Sequence, residues 1–233
     1  MVDIFTFMTI NQREPFLCLP CRYMIEGSFM TNKQTVFIID DDEGIREGLE
    51  LLFESINLTA QSFRSGAAFL NVYNQNMTGC LVLDIRMPKM SGLELQQKLK
   101  DLNCLLPIIF ITGHGDIPMA VEAMRLGALD FIKKPFNEQH LIDRINEALV
   151  LDDKQHEQLI NKHKTKIEIE SLSSREREVF ERVTDGMMNK VIASDLNISE
   201  RTVEVHRSHV MMKLGAKTLA QLVRSKIMYE QLD

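Results

Sequence analysis

From Thr35 onward the chain settles into short apolar runs separated by amphipathic stretches. The runs are Val36–Ile39, Leu58–Phe63, Cys80–Leu83, Ile108–Ile111 and Phe131–Ile132. Apolar runs this short, bounded by turn-forming residues, predict buried strands. Between them apolar positions recur three or four residues apart, as in Ile45, Leu49, Leu52, Phe53 and Ile56, which predicts helices. Five strands alternating with five helices imply a parallel sheet, because each crossover helix must return the chain to the same edge. Helices then cover both faces, so strands can be apolar throughout. Residues 34–152 are therefore expected to form an α/β, doubly wound, five-stranded parallel sheet.

The last crossover helix, from about Asn137, runs on into Asp152–Lys166, a stretch dense in Lys, Gln, His and Asp. Residues 153–167 read as a solvated helical linker. From Leu172 only helical signals remain. Ser173 or Ser174 can cap the next helix and Gly186 can end it; Asn197 and Ser199 bracket a tight turn, and Gly215 closes the helix after that. Residues 168–233 thus predict a separate all-α domain of four helices. Residues 1–33 show no regular periodicity, contain Pro15, Pro20 and Gly27, and lack the pattern of a secretory signal. A poorly ordered extension is expected there, or a start assigned too early, with Met30 the alternative.

Composition narrows the class. With 45% hydrophobic and 26% charged residues the chain reads as an ordinary globular protein. No apolar run reaches the ~18 residues that a membrane helix needs, so no membrane partner is expected. Four cysteines without a regular framework fit a reducing cytoplasm. Cys80 and Cys104 read as small core residues, and Cys18 and Cys21 form a lone Cys-x-x-Cys with no second ligand pair nearby. The net charge of −6 hides an asymmetry: Asn161–Lys226 carries 13 basic and 9 acidic residues, and the remainder 14 and 24. An acidic part joined to a mildly basic one suits a controlled nucleic-acid binder.

Candidate chemistry gathers at the strand ends. In a doubly wound sheet, ligands bind outside the C-terminal ends of the strands. Asp40 and Asp41 follow the first strand and Asp84 the third. Three carboxylates at one point repel unless a cation neutralises them, and an all-oxygen set suits Mg²⁺. Thr112 and Lys134 end the fourth and fifth strands, offering a hydroxyl and an ammonium. Carboxylate, metal, hydroxyl and ammonium around one point make a phosphoryl-transfer site. Asp42 reads as turn chemistry. Asp40-Asp41-Asp42-Glu43 also stands where a dinucleotide binder would place glycines, which argues against a dehydrogenase or P-loop enzyme. A metal-dependent phosphohydrolase is disfavoured, because no second acid or base is evident to activate water.

These residues resemble the receiver domains of two-component response regulators. The matching stretches are Val36-Phe-Ile-Ile-Asp-Asp-Asp-Glu, Leu81-Val-Leu-Asp-Ile-Arg-Met-Pro-Lys-Met-Ser-Gly, Ile109-Phe-Ile-Thr-Gly-His-Gly-Asp and Asp130-Phe-Ile-Lys-Lys-Pro-Phe, in the family's order and spacing. The resemblance implies a flavodoxin-like receiver in which Asp84 accepts a phosphoryl group from a sensor histidine kinase. It implies that Asp40, Asp41, Asp84 and the backbone carbonyl of Arg86 hold Mg²⁺, and that Lys134 and Thr112 serve the transfer. Phe131 takes the switch-aromatic position, and the Lys134–Pro135 bond is expected to be cis. Phosphorylation would repack the surface of the fourth helix and fifth strand, where Met119, Val121, Met124 and Leu126 offer apolar contacts for a homodimer.

In the C-terminal part, helix Asn189–Leu196, a turn at 197–199 and helix Glu200–Leu214 predict a helix-turn-helix. On the second helix Val203, His206, Val210 and Leu214 share one face, expected to be buried, with His206 a hydrogen-bonded packing residue. The opposite face carries Arg201, Val205, Ser208 and Met212, flanked by Glu204 and His209. Val205 suits a thymine methyl and Glu204 a cytosine amino group, with Thr202 and Ser208 beside them. Lys190, Arg201, Arg207 and Lys213 are candidate phosphate contacts. The stretch Asn189-Lys-Val-Ile-Ala-Ser-Asp-Leu-Asn-Ile-Ser-Glu-Arg-Thr-Val-Glu-Val-His-Arg resembles the LuxR-type helix-turn-helix. Together the two resemblances point to the FixJ branch of the NarL/FixJ family. They imply promoter DNA, a histidine kinase and RNA polymerase as partners, with no enzymatic role beyond slow loss of the phosphoryl group. Acidic Glu204 departs from relatives that carry Lys there.

Overall fold

A computed structural model describes residues 34–113 and 117–231. The expectations for residues 1–33, including the Cys18/Cys21 pair and Met30, lie outside the described residues, as do His114, Gly115 and Asp116. Five strands, β1 (Thr35–Ile39), β2 (Thr59–Phe63), β3 (Gly79–Asp84), β4 (Ile108–Thr112) and β5 (Asp130–Lys133), form one sheet in the order β2-β1-β3-β4-β5. Every pairing is parallel. The crossovers are α1 (Glu43–Ser55), α2 (Gly66–Leu70), α3 (Gly92–Asp101) and α4 (Ile117–Arg125), and α5 (Glu138–Glu170) follows β5.

The strands alternate between two cores with period two, as a sheet covered on both faces requires. Phe37, Ile39, Leu81, Leu83 and Phe110 pack on one side with Phe69, Leu95, Leu99 and Ala123, from α2, α3 and α4. Val36, Ile38, Val82, Ile109 and Ile111 face the other way, against Leu49 and Phe53 of α1 and Leu141 and Ile145 of α5. The expectation of continuously apolar strands holds for β1, β3 and β4. It does not hold for β2, where Thr59, Gln61 and Ser62 lie at the sheet's edge and Leu58 precedes the strand. An edge strand is half solvated, so polar residues cost it little.

Helix α5 is one unbroken helix of 33 residues. The stretch read as a linker is therefore the continuation of the last receiver helix. Four further helices follow: α6 (Ser174–Thr184), α7 (Asn189–Leu196), α8 (Glu200–Lys213) and α9 (Leu219–Glu230). The caps sit where the sequence puts them. Ser173, not Ser174, caps α6, in a reciprocal capping box with Glu176. Asn197 ends α7 in the left-handed conformation at φ 55°, and Ser199 caps α8 by accepting from the Thr202 N–H. Ile169, Leu172, Val179, Phe180, Ile192, Leu196, Val203, Val210, Leu214 and Leu222 close a third core.

Candidate phosphoacceptor site and nucleic-acid interface

Strand register builds the first site. Ile39 pairs with Leu83, Leu83 with Phe110 and Ile111 with Ile132. Asp40, Asp84 and Thr112, which follow Ile39, Leu83 and Ile111, therefore emerge together at the C-terminal edge, with Lys134 just past Lys133, the partner of Thr112. The edge spans the gap between β1 and β3, where the strand order reverses. Asp40, Asp84 and Thr112 are buried, at 1%, 6% and 1% exposure.

Lys134 reaches into this edge. Its Nζ donates to Asp40 Oδ2 at 2.7 Å and to Asp84 Oδ1 at 3.0 Å. The other carboxylate oxygens take backbone donors: Asp40 Oδ1 accepts from the Asp42 N–H at 2.9 Å, and Asp84 Oδ2 from the Arg86 N–H at 2.7 Å. Burial raises the Asp84 carboxyl above its ordinary value, against the lowering effect of the Lys134 ammonium. Burial opposes the charge on Lys134 too, but the hydrogen bonds to Asp40 and Asp84 outweigh it and its pKa is raised. The Lys134–Pro135 bond is cis. The Lys134 N–H donates to the Thr112 carbonyl at 2.8 Å, tying the ends of β4 and β5 together. Phe131 is half-buried against the first core.

The structure brings two carboxylates together, those of Asp40 and Asp84, around an ammonium. Asp41 is exposed, and among the described residues no group of three or more His, Cys, Asp or Glu is arranged to hold a metal ion. Two buried carboxylates already gathered round a cation, with oxygen donors alone, nonetheless fit a hard divalent ion.

Sequence reasoning missed Arg46. From the first turn of α1 its Nη1 donates to the carbonyls of Asp40 at 2.9 Å and Asp41 at 3.0 Å, holding the acid loop from behind. Asp42 caps the same helix by accepting from the Gly44 and Ile45 N–H groups, as its turn reading predicts. The available signal was an arginine one turn into a helix that begins directly after the acidic run Asp40-Asp41-Asp42. Gly92 was missed as well. It opens α3 directly against the acceptor strand, and a Cβ there would stand 2.4 Å from the Asp84 carbonyl oxygen.

The α4 surface divides. Val121 and Met124 are exposed, whereas Met119 packs into the first core. Leu126 lies beside a cleft at the opposite end of the sheet, along with Ala128 and Leu129.

On α8 the buried face is Val203, Val210 and Leu214, as expected. His206 is only half-buried and its Nδ1 has no hydrogen-bond partner, contrary to the hydrogen-bonded packing role. Arg201, Glu204, Val205, Ser208, His209 and Met212 are exposed, with Val205 at 47% and Met212 at 73%. Two candidate phosphate contacts are already engaged within the domain. Lys213 Nζ donates to Glu176 Oε2 at 2.7 Å, and Arg207 donates to Asn189 Oδ1 at 2.7 Å. Lys190 and Arg201 remain exposed at the two helix starts. Thr202 is half-buried, its hydroxyl 2.8 Å from that of Ser199, and Ser208 donates to the Glu204 carbonyl. The Lys213 ammonium and the Ser173 N–H pull the Glu176 carboxyl down to about 2.

Comparison with known proteins agrees with both halves. Residues 36–146 match the response regulator receiver domain, and residues 170–225 match the bacterial regulatory proteins of the luxR family. Among relatives, response regulator protein TmoT of Ectopseudomonas mendocina is 47% identical over 192 residues, covering 82% of this chain and 87% of its own. Transcriptional regulatory protein FixJ of Rhizobium meliloti is 45% identical over 190 residues, covering 82% and 93%. The solved structure of response regulator StyR superposes with a TM-score of 0.76 at 44% identity, covering 84% of this chain and all of that one. Full-length FixJ from B. japonicum superposes at 0.53 with 38% identity, covering 87% and 100%. A receiver sheet with its acids around one lysine, joined to a LuxR-type helix-turn-helix, places this chain among the response regulators of the NarL/FixJ family, whose members regulate transcription.

Proposed function

We propose that Asp84 accepts a phosphoryl group from a sensor histidine kinase, and that this modification controls how the C-terminal domain binds promoter DNA. The observation that carries the reading is the Lys134 ammonium set between the buried carboxylates of Asp40 and Asp84. A carboxylate is a weak nucleophile, so the site must bring it up to phosphorus and offset the charge that accumulates. An Asp84 oxygen bonds to phosphorus as the bond to the donor's imidazole nitrogen breaks, and the imidazole leaves with the electron pair. Lys134 is placed to hold a phosphoryl oxygen once Asp84 carries it. Thr112, at the end of the neighbouring strand, offers a second donor, and Phe131, paired with Phe110 on the adjacent strand, the half-buried switch aromatic.

Asp40, Asp41, Asp84 and the Arg86 carbonyl would hold Mg²⁺, which would neutralise charge on the phosphoryl oxygens. Control then acts by release of an inhibited arrangement or by pairing of two chains, since two half-sites bound together raise affinity without new contacts. On the DNA side, Arg201 and Lys190 would meet phosphates while Val205, Glu204 and Ser208 face base edges. The protein would work in the cytoplasm with RNA polymerase as a further partner. It would not act as an enzyme beyond slow loss of its own phosphoryl group.

The test is incubation with a small-molecule phosphoryl donor and Mg²⁺, mass mapping of the modified residue, and a gel shift on genomic fragments. Modification at Asp84, absent from Asp84→Asn, with tighter DNA binding by the modified chain, is the expected result. Modification elsewhere, or DNA binding indifferent to it, would overturn the proposal.

A further inference from the structure

We infer that Asp152 is a positioning residue that fastens α5 to the receiver, so that the receiver's state reaches the DNA-binding domain along a rigid helix. The inference rests on the proposed phosphorylation control, since it names the part that transmits it. Along α5 the residues buried against the sheet are Leu141, Ile145, Ala148 and Leu149. Asp152 is the next position on that stripe and is fully buried, at 0% exposure. Among the described residues the next buried position on the helix is Ile169, in the core of the C-terminal domain. A carboxylate therefore ends the receiver's hold on a helix about 50 Å long at ~1.5 Å per residue.

The carboxylate is tied to the sheet. Its Oδ2 accepts from the Gly79 N–H at 2.8 Å, where β3 begins, and from Gln34 Nε2 at 3.4 Å. Gln34 Nε2 also reaches the Leu149 carbonyl at 2.8 Å and Asp153 Oδ1 at 3.0 Å, bridging the start of β1 to the helix. One turn on, His156 Nδ1 stands 3.2 Å from Asp152 Oδ1 and 3.1 Å from the Asp152 carbonyl. Gly79 is committed to this geometry: its φ is +133°, and a Cβ would meet the Thr35 carbonyl oxygen at 1.9 Å.

A leucine at this position would bury as well, with no charge to satisfy. What a carboxylate adds is direction. If α5 rotates, or slides by one turn, a leucine finds other apolar neighbours, but the carboxylate is left buried without donors. The clasp thus sets the angle and register at which the helix leaves the receiver. Asp152 lies at the N-terminal ends of the strands, opposite the Asp84 edge, so it is free to act on transmission without touching the phosphoryl chemistry.

The experiment uses the full chain, as Asp152→Ala and Asp152→Asn. Amide exchange is followed along 149–158, and DNA affinity is measured with and without a small-molecule phosphoryl donor. Asp152→Ala should speed exchange over 153–158 by about tenfold or more. It should also bring the ratio of modified to unmodified DNA affinity toward one, with the rate of Asp84 modification unchanged. Asp152→Asn, whose amide oxygen still accepts from Gly79, should restore part of both. Unchanged exchange, or an unchanged affinity ratio despite faster exchange, would overturn the inference. Should Asp152→Ala fail to fold, the double variant Gln34→Ala with His156→Ala removes the Gln34 donor and the facing imidazole while keeping the carboxylate, and the same two readouts decide. If the wild-type chain takes no phosphoryl group, the phosphorylation reading fails, and the exchange comparison alone judges the clasp.

Discussion

Replacing Lys134 with alanine removes the ammonium that, among the described residues, pairs with both Asp40 and Asp84, at 2.7 and 3.0 Å. Its side chain is 16% exposed, and those of the two acids 2% and 9%, so solvent can compensate only in part. Breaking a buried pair from one side costs about 3–5 kcal/mol. The open rim of the site and the backbone donors on each carboxylate reduce that to about 2–3 kcal/mol at pH 7. The pH dependence has a definite sign. Burial already holds the Asp84 carboxyl above its ordinary 3.8, and Lys134 is the strongest influence pulling it down. Without the lysine it rises further. A carboxylate whose folded pKa exceeds the unfolded one destabilises the fold at pH values above that folded pKa. The deficit of Lys134→Ala should therefore be greatest near neutral pH and shrink as pH falls toward 3.8. Mg²⁺ should stabilise the variant more than the wild type, because no ammonium competes for the two carboxylates; at a hundred times its Kd that gain is about 2.7 kcal/mol. Urea unfolding at a series of pH values, with and without Mg²⁺, reads all of this. A deficit flat in both pH and Mg²⁺ would refute the reasoning.

Gly92→Ala should destabilise the receiver by about 1–3 kcal/mol, because its Cβ would meet the Asp84 carbonyl and the Phe110 ring. The rate of Asp84 modification should fall alongside the denaturation midpoint. Arg201→Ala should weaken DNA binding and reduce the salt slope by about 1, whereas Lys213→Ala should leave the slope nearly unchanged and lower stability instead; equal slope changes would contradict the assignment. Glu176, held at about 2 chiefly by Lys213 and then by the Ser173 N–H, contributes stability at pH values above 4.5 that disappears as pH falls from 4.5 through 2. Its solvent-edge partner limits the contribution to about 1–2 kcal/mol, and Glu176→Gln should abolish this part of the acid sensitivity in thermal melts. Arg46→Gln should raise the Mg²⁺ concentration needed for half-maximal thermal stabilisation, since the Asp40 and Asp41 carbonyls lose their shared donor; an unchanged Mg²⁺ requirement would remove Arg46 from the site.

The elements that depend on local pattern were readable in advance. Continuous burial of β1 and β3, and the stripe on α1, follow from which residues are apolar. Ser173, Gly186, Asn197, Ser199 and Gly215 mark helix ends because a cap or a left-handed residue acts on its own few neighbours. The gathering of Asp40, Asp84, Thr112 and Lys134 was legible for a related reason. A parallel sheet puts the ends of its strands at one edge, so knowing the strands is nearly enough.

Side-chain partnership was not legible. Arg207 and Lys213 read as free basic residues on a DNA-facing helix, yet each is engaged by a residue from another helix, Asn189 of α7 and Glu176 of α6. Asp152 read as one more polar residue of a solvated helix, yet it is fully buried against the start of β3. Asp40, not Asp41, turned inward with Asp84. The chain by itself determined which segments become strands and helices, and hence which edge carries the acids, because those outcomes follow from periodicity and near-neighbour capping. Only the tertiary structure decided which charges are spent on the protein and which remain for a ligand. That choice is made between residues 18 to 94 positions apart, whose distance no local pattern encodes.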